Sequence, residues 1–389
     1  MYSQDTLSSV RDQLDRVSDY ELYSRKFQEA DVEAESIETW EDFRQIPFTT
    51  SDELKKDFDE RSPEGSLYPG NSTISFTPLG EGLAPVFDPP PDLEYMVNVN
   101  SDVFERAGIE PGHRVLNTFG YHTFGTGYVF HRALEELGAE VIPAGPGDSE
   151  QAAQVIQDYG VDALLGNPSY ALKIADKGGT GIDVFVGGGE PFTSIPGMRD
   201  QVKEAFGGDI TAVDYFGTRW FLPVAVECHG ENGLHVVDDF CVVEVIDPDT
   251  GEVLPEGERG EIVVTHVNKR GSPLVRFRTG DLAELQVEEC ETCGSHVIGR
   301  TDQRLKVKGV KVYPESLGTV LAGFPDLTGN YRIEVTRPES TDHLKIICEG
   351  DADVDELRRE LSKRLIVSPD EIELVDELEE GDLVVDRRY

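Results

Sequence analysis

The sequence predicts an α/β protein built on a parallel sheet, followed by a β-rich segment and a compact α+β unit. Three observations predict it. Between about residues 93 and 217, short apolar runs alternate with amphipathic helical runs. After Gly217 the helical runs give way to short strands separated by turn residues such as DPDTGE. From Gly299 a third pattern of hairpins and single helices begins. A βαβα alternation with apolar strands calls for a parallel sheet with helices on both faces.

Residues 1–45 read as amphipathic helices, with Leu14, Val17 and Tyr20, then Phe27, Ala30 and Val32, in register. Pro47 breaks the chain, and Thr50 or Ser51 can cap a helix starting near Asp52. Asp59 to Pro91 is rich in Gly, Pro and Ser and reads as loop with short strands. The alternation then runs LEYMVNVNSDVFERAG (helix), RVLNTFG (strand), TGYVFHRALEELG (helix ended by Gly138) and AEVIPAG (strand). SEQAAQVIQDYG, SYALKIAD and SIPGMRDQVKEAFG are helices alternating with the strands DALLG, DVFVGGG and TAVDYFG. LHVVDD, CVVEVIDP, GEIVVTHV, LVRFRTGD and LAELQV suit an antiparallel sheet or a small barrel. In the last segment RLKVKGVKVY is a strand pair, ESLGTVLAGF a helix and YRIEVTRPESTDHLKIICEG a hairpin. VDELRRELSKRL is a helix with Val354, Leu357, Leu361 and Leu365 on one stripe, and EIELV is a closing strand. The expected division is a large domain over 1–299, with 217–299 as its β-rich part, and an α+β domain over 300–389.

The formal net charge is −41, from 76 acidic against 35 basic residues, and Arg outnumbers Lys among the bases. Such a surface repels nucleic-acid backbones and anionic lipid, so both are excluded as partners. Because the acids are interleaved with regular apolar segments, they read as the coat of a folded, salt-adapted protein. No run approaches the roughly 18 apolar residues of a membrane span, and MYSQDTLSSVRDQLDRV carries charge throughout. The expected location is cytoplasmic. Five cysteines do not make a disulfide framework in a chain of 389 residues.

Their spacing does carry a signal. Cys228 precedes His235 by seven residues, and Cys290 and Cys293 form C-E-T-C-G on a turn. A Cys-x-x-Cys knuckle with a Cys and a His from another hairpin makes a Cys3His zinc set with no open position, hence a structural site. The competing reading is free thiols in a reducing compartment, with His229 and His296 as rival ligands. Cys241 and Cys348 read as core strand residues.

Seven segments in order resemble blocks of the phenylacetate–CoA ligase branch of the adenylate-forming superfamily. They are IPFTTSDEL, GYHTFGTGYVFHRALEELGAEVIPAG, LLGNPSYALKIAD, GGGEPF, DYFG, LVRFRTGDLAEL and GRTDQRLKVKGVKVYPESL. The resemblance implies the adenylate-forming ligase fold: a large N-terminal α/β domain and a small α+β domain that swings about Asp302. It implies a reaction in which a carboxylate joins AMP from ATP and CoA sulfur then replaces AMP, with magnesium as the metal of the first step. Asp281 and Arg300 match the residues that hold the ribose. Gly188, Gly189, Glu190 and Pro191 match the adenine-facing loop, with Phe216 and Gly217 beside it. Tyr121, His122, Phe124 and Gly125 match the acyl-pocket segment. The residues themselves leave alternatives open: Asp281 as a turn residue, Glu190 as a helix cap, and His122 as a loop hydrogen-bonding residue. Some members of the resembled branch carry a structural zinc at the Cys228, His235, Cys290 and Cys293 positions.

Departures from the family pattern gather at the triphosphate end. The stretch SFTPLGEGLAPVFDPP lacks a lysine and carries Glu81, which repels phosphate. Arg219 and Trp220 stand where the family has a hydroxyl residue and then the magnesium-binding glutamate. ELEEGDLVVDRRY holds no lysine, and Lys363 lies earlier, within a helix. Two functional readings follow. One is an AMP-forming acid–CoA ligase of the phenylacetate type with a degenerate ATP-phosphate site, using ATP, CoA and a small carboxylic acid. The other is a non-catalytic or repurposed relative that binds an adenylate or acyl-CoA, as a homodimer or as a subunit for a partner enzyme.

Overall fold

The computed structural model describes residues 2–79, 82–195, 197–290, 296–300, 305–307, 310–312, 317, 321, 324, 327–338, 341–365, 368–375, 378 and 384–387. The chain divides into two compact units, Met1–Asp302 and Gln303–Tyr389.

In the first unit, α1 (Gln4–Val17) is capped by Ser3 and buries Leu7, Val10, Leu14 and Val17, a spacing that keeps one helical face inward. After α2 (Glu21–Ala30) and the short α3 (Trp40–Phe43), α4 (Ser51–Glu60) starts at Thr50 through a reciprocal capping box with Glu53. The buried Lys26 Nζ donates to Glu53 at 2.7 Å and to the Phe48 carbonyl at 2.6 Å, which fixes α4 against α2. The Gly- and Pro-rich stretch contains an antiparallel hairpin of β1 (Thr73–Leu79) and β2 (Gly82–Asp88), with Ser75 opposite Val86.

The alternating segment forms α5 (Pro90–Arg106), β3 (Arg114–Asn117), α6 (Thr126–Leu137), β4 (Glu140–Pro143), α7 (Ser149–Tyr159) and β5 (Ala163–Gly166). It continues through α8 (Pro168–Asp176), β6 (Val184–Gly188), α9 (Met198–Phe206) and β7 (Thr211–Phe216). Helix α5 begins three residues earlier than the apolar pattern suggests, because Pro90 and Pro91 occupy its first turn, where the missing N–H costs nothing. Strands β4, β3, β5, β6 and β7 are parallel neighbours. Apolar residues of α5 and α6 pack into one core, and those of α7, α8 and α9 into another, so the strands are covered on both faces.

The β-rich segment does not close into a barrel. Its strands β8 (Ala225–Val226), β9 (Leu234–Val236), β10 (Cys241–Ile246), β11 (Arg259–His266), β12 (Phe277–Glu289) and β13 (His296–Arg300) extend the parallel sheet antiparallel to eleven strands. The turn from β7 into β8, paired antiparallel at Phe216 and Ala225, makes the switch. FRTGDLAELQ, read as parts of two strands, lies in the single strand β12, and Arg276 just before it has a left-handed φ of 46°.

The second unit contains β14 (Leu305–Val307) paired with β15 (Val310–Val312). It also holds a four-stranded sheet of β16 (Leu327–Thr336), β17 (His343–Gly350), β18 (Glu371–Val375) and β19 (Val384–Arg387), in the order β18-β17-β16-β19. Leu357 and Leu361 of α10 (Val354–Leu365) bury against Ile333, Val335, Leu344 and Ile346. The helix expected over 315–324 falls largely outside the described residues, of which Leu317 and Leu321 are buried. Among the described residues no helix is long and apolar enough to cross a membrane.

Candidate functional site

In an open parallel sheet, ligands bind beyond the carboxyl ends of the strands, near the point where strand order reverses. Here the order reverses between β3 and β5, and the glycine-rich segments lie at these strand ends. Gly188 ends β6, with its carbonyl accepting from Asn167 Nδ2 at 2.8 Å. A Cβ on Gly188 would sit 2.9 Å from the Tyr215 carbonyl oxygen, and Gly189 has a φ of +79°, so both positions require glycine. The Glu190 carboxylate accepts from the Ser169 hydroxyl at 3.0 Å and from the Ser169 backbone N–H. It therefore caps the start of α8, whereas the sequence places the next helix after it at α9. Phe216 ends β7 and is buried, and Gly217 follows in a turn closed by Thr218 N–H to the Phe221 carbonyl at 2.7 Å.

The loop after β3 carries Tyr121, His122, Phe124 and Gly125. The Tyr121 hydroxyl lies 2.9 Å from Asn117 Nδ2, which donates to it, and 3.1 Å from His131 Nδ1. Burial pushes its pKa up to about 12, so it is a neutral phenol at physiological pH. His122 and Phe124 are exposed and meet edge to face at 5.2 Å. Gly125, at a φ of +71°, starts α6. The Thr123 carbonyl accepts from the Phe76 N–H at 2.8 Å, which ties this loop to the β1–β2 hairpin. Gly80 and Glu81 lie outside the described residues.

Asp281 lies buried on β12, and the register sets Ala283 of that strand opposite Arg300 at the end of β13. The two ribose candidates thus stand on adjacent strands. Asp302 lies outside the described residues.

The structure reveals a charge cluster that sequence reading missed. Asp88, at the end of β2, is fully buried and pairs with both Arg219 and Lys269. Arg219 Nε also donates to Ser75 Oγ at 2.6 Å. Asp92, in the first turn of α5, accepts from the Arg270 and Gly271 N–H groups at 2.7 and 2.8 Å. Burial alone would raise the Asp88 carboxyl, but Lys269 and Arg219 outweigh it and hold it below the usual carboxylate range. The clue in the sequence was the acidic pair in FDPPPD facing the basic run NKRG. Trp220 is buried, stacks on Phe58 at 6.5 Å and offers its carbonyl to His266 Nε2 at 3.0 Å. An indole supplies no oxygen to a hard cation, so position 220 does not fit magnesium.

A second cluster joins Cys228, His235 and Cys290, whose ligand atoms all lie within 4.8 Å of one another and are buried. The two sulfurs are 3.9 Å apart, far beyond a disulfide. Around zinc at a Zn–S distance of about 2.3 Å, a tetrahedral S···S edge is about 3.8 Å, so the spacing fits. Gly230 N–H donates to Cys228 Sγ at 3.4 Å and Asn232 Nδ2 to Cys290 Sγ at 3.0 Å, while Asn232 Oδ1 lies 3.6 and 3.5 Å from the two sulfurs and 3.2 Å from His235 Nε2. Burial, helped by Arg106, lowers the His235 pKa to about 4, which keeps the imidazole neutral as a ligand must be. His229 is exposed and faces the Arg106 carbonyl at 3.2 Å, outside this cluster. Cys293 lies outside the described residues, as does the side chain of His296.

Phenylacetate–coenzyme A ligase of Thermus thermophilus is 32% identical to this chain over 382 residues, covering 93% of this chain and 81% of that protein. The chain belongs to the phenylacetate–CoA ligase family. The Escherichia coli phenylacetate–coenzyme A ligase is 29% identical, over 84% of this chain and 77% of its own length. Residues 309–377 of this family member match the AMP-binding enzyme C-terminal domain. Its fold is that of 2-hydroxyisobutyryl-CoA ligase solved with 2-HIB-AMP and CoA in the thioesterification state, at a TM-score of 0.77 and 22% identity, covering 99% of this chain and 89% of that one. The amide bond synthetase McbA of Marinactinospora thermotolerans shares the fold more distantly, at a TM-score of 0.53 and 18% identity over 79% of this chain and 66% of that one.

Proposed function

We propose that the chain is an AMP-forming acid–CoA ligase whose thiol-transfer half-reaction is retained and whose adenylation half-reaction is slow. The carrying observation is family membership over 93% of the chain, combined with Trp220 in place of an oxygen ligand. In the first half-reaction a carboxylate oxygen attacks the α-phosphorus of ATP and pyrophosphate leaves. That step concentrates charge on the phosphates and depends on cations to offset it. Arg219 and Lys269 are the buried cations near the hairpin, and both are committed to Asp88. In the second half-reaction the CoA sulfur attacks the acyl carbonyl and AMP leaves, with no triphosphate to neutralise. Asp281, Arg300 and the 188–191 loop address the ribose and adenine, which both half-reactions share. The acid is a small carboxylate received beside Tyr121 and Gly125.

The test separates the half-reactions. ATP–pyrophosphate exchange across aryl and short-chain acids is expected to be near background. Synthetic phenylacetyl-AMP plus CoA is expected to yield phenylacetyl-CoA and AMP. Robust exchange would restore the ordinary ligase reading. Tight adenylate binding without thioester formation would instead favour an adenylate-binding protein.

Two further assignments belong to the same reading. Cys228, His235 and Cys290, completed by Cys293, hold a structural zinc that pins β8–β9 to the end of β12; the reaction does not pass through it. The net charge of −41 fits a protein that works in concentrated salt, where self-repulsion is screened.

A further inference from the structure

Arg219 stands in the turn after β7, with its guanidinium held along one edge. Nε donates to Ser75 Oγ at 2.6 Å, and Nη2 pairs with Asp88. The residue is 9% exposed. Nη1 makes no hydrogen bond among the described residues, and it is not sealed from solvent. The exposure that Arg219 keeps therefore includes a charged, unpaired N–H corner on an otherwise fixed side chain. Around it, the cations of Arg219, Lys269 and Arg270 face the carboxylates of Asp88 and Asp92, so positive charge is in excess.

A second set of donors lies against the same guanidinium. Helix α6 starts at Thr126 behind Gly125, with no side-chain cap and no acidic residue in its first turn. Gly127 N–H goes to the Gly120 carbonyl at 3.0 Å, and Val129 N–H to the Gly125 carbonyl at 3.2 Å. The N–H groups of Thr126 and Tyr128 meet no acceptor among the described residues. A Cβ on Gly125 would lie 3.7 Å from Arg219 Nε, and Nη1 is two covalent bonds from that atom. The uncapped helix start and the open corner of Arg219 are thus neighbours, and glycine at 125 puts no side chain there. A helix N-terminus beside a fixed arginine suits a phosphate, which bridges donors through hydrogen bonds of about 2.9 Å.

We propose that Arg219 and the start of α6 hold the phosphate of the acyl-adenylate during thiol transfer, an assignment that rests on the ligase reading above. Asp88 occupies Nη2, and Nη1 donates to the phosphate. In that step the CoA sulfur bonds to the acyl carbon, and the bond from that carbon to the phosphate oxygen breaks. Its electron pair stays on the phosphate, whose charge goes from one negative to two, and the thiol proton passes to water. A fixed, charged N–H at that phosphate stabilises the transition state more than the ground state. One such N–H does not neutralise a triphosphate, so the first half-reaction stays slow.

The test compares AMP with adenosine, which differ only in the phosphate, by calorimetry on the full chain. Wild type is expected to bind AMP about tenfold or more tighter than adenosine. Arg219→Gln is expected to bring the two within about threefold while adenosine binding stays as it was. Gly125→Ala sets a methyl group against the guanidinium without touching the Asp88 pair, and is expected to do the same. With phenylacetyl-AMP and CoA, kcat of Arg219→Gln is expected to fall about tenfold or more. A folded Arg219→Gln protein that keeps the preference for AMP, or the wild-type kcat, overturns the proposal. So does a Gly125→Ala protein with that preference intact. Wild type that binds AMP and adenosine alike also overturns it, with the ligase reading left standing. Arg219→Gln that loses phenylacetate binding but still prefers AMP would assign the site to the acid's carboxylate instead. Wild type that binds neither nucleotide defeats the ligase reading and this proposal together.

Discussion

Arg219 and Asp88 meet as a buried ion pair, with the aspartate side chain wholly inaccessible and the arginine side chain 6% exposed. The pair joins the turn after β7 to the end of the β1–β2 hairpin, and Lys269 adds a second cation to the same carboxylate. Taking one partner from a buried pair leaves the other desolvated and uncompensated, at a cost of about 3–5 kcal/mol. Asp88→Asn is therefore expected to lower the unfolding free energy by about that amount, measured by urea denaturation at fixed salt. A loss below about 1 kcal/mol, the usual value for a surface pair, would show that the cluster is hydrated.

Much of the fold was legible because it is local. The periodicity of Leu7, Val10, Leu14 and Val17 marks α1, and the Thr50–Glu53 spacing marks the start of α4. What was not legible depends on distant partners or very short elements. Asp88 and Arg219 are 131 residues apart, and no local pattern pairs them. Strand β8 has only two residues, too few for periodicity to reveal that the sheet runs on instead of closing into a barrel. Among site residues, Gly188 and Gly189 stood out through the GGGEPF block and the structure adds that their backbone demands glycine, whereas the exposure of His122 and which helix Glu190 caps depend on neighbouring segments.

His266 supplies a pH dependence. It is fully buried, stacked on Phe221 at 3.9 Å, donates from Nε2 to the Trp220 carbonyl and accepts at Nδ1 from Leu274 N–H at 3.0 Å. Burial, reinforced by Lys269, holds its pKa well below the usual imidazole value. The unfolded chain then takes up the proton first as pH falls, so the stabilisation is present above about pH 6.5 and is lost on acidification below it. Wild type is expected to lose about 1.4 kcal/mol per pH unit more than His266→Phe between pH 6 and 5, by urea denaturation at each pH. Equal slopes would mean that His266 charges within the fold.

The cysteine cluster predicts metal content. Protein expressed with zinc supplied is expected to carry about one zinc per chain by elemental analysis, with Cys290→Ser releasing it and lowering the melting temperature. Metal-free protein of undiminished stability would refute the ligand set.

Salt should stabilise the fold. With a net charge of −41, like charges repel across the surface, and the Debye length falls from about 10 Å at 0.1 M to about 3 Å at 1 M. The melting temperature is expected to climb steadily from dilute buffer to molar KCl, and a flat curve would remove the case for salt adaptation.

Asp281 offers the sharpest probe of the proposed ribose site. It is buried on β12 beside the strand that ends in Arg300, so its backbone position is fixed by the sheet and not by a mobile loop. A carboxylate that accepts from ribose hydroxyls contributes a charge-assisted hydrogen bond, worth about 1.5–3 kcal/mol. Asp281→Asn is close to isosteric but loses the charge and is expected to weaken AMP binding by about 10–100-fold in calorimetry. The same variant should weaken phenylacetyl-AMP by a similar factor, since both share the ribose. CoA does not use that contact in the proposed scheme, so its apparent KM in the thiol-transfer assay should stay within about threefold, a difference under 1 kcal/mol. An Asp281→Asn protein that melts like wild type yet binds AMP equally well would make Asp281 a structural strand residue and move the ribose site elsewhere.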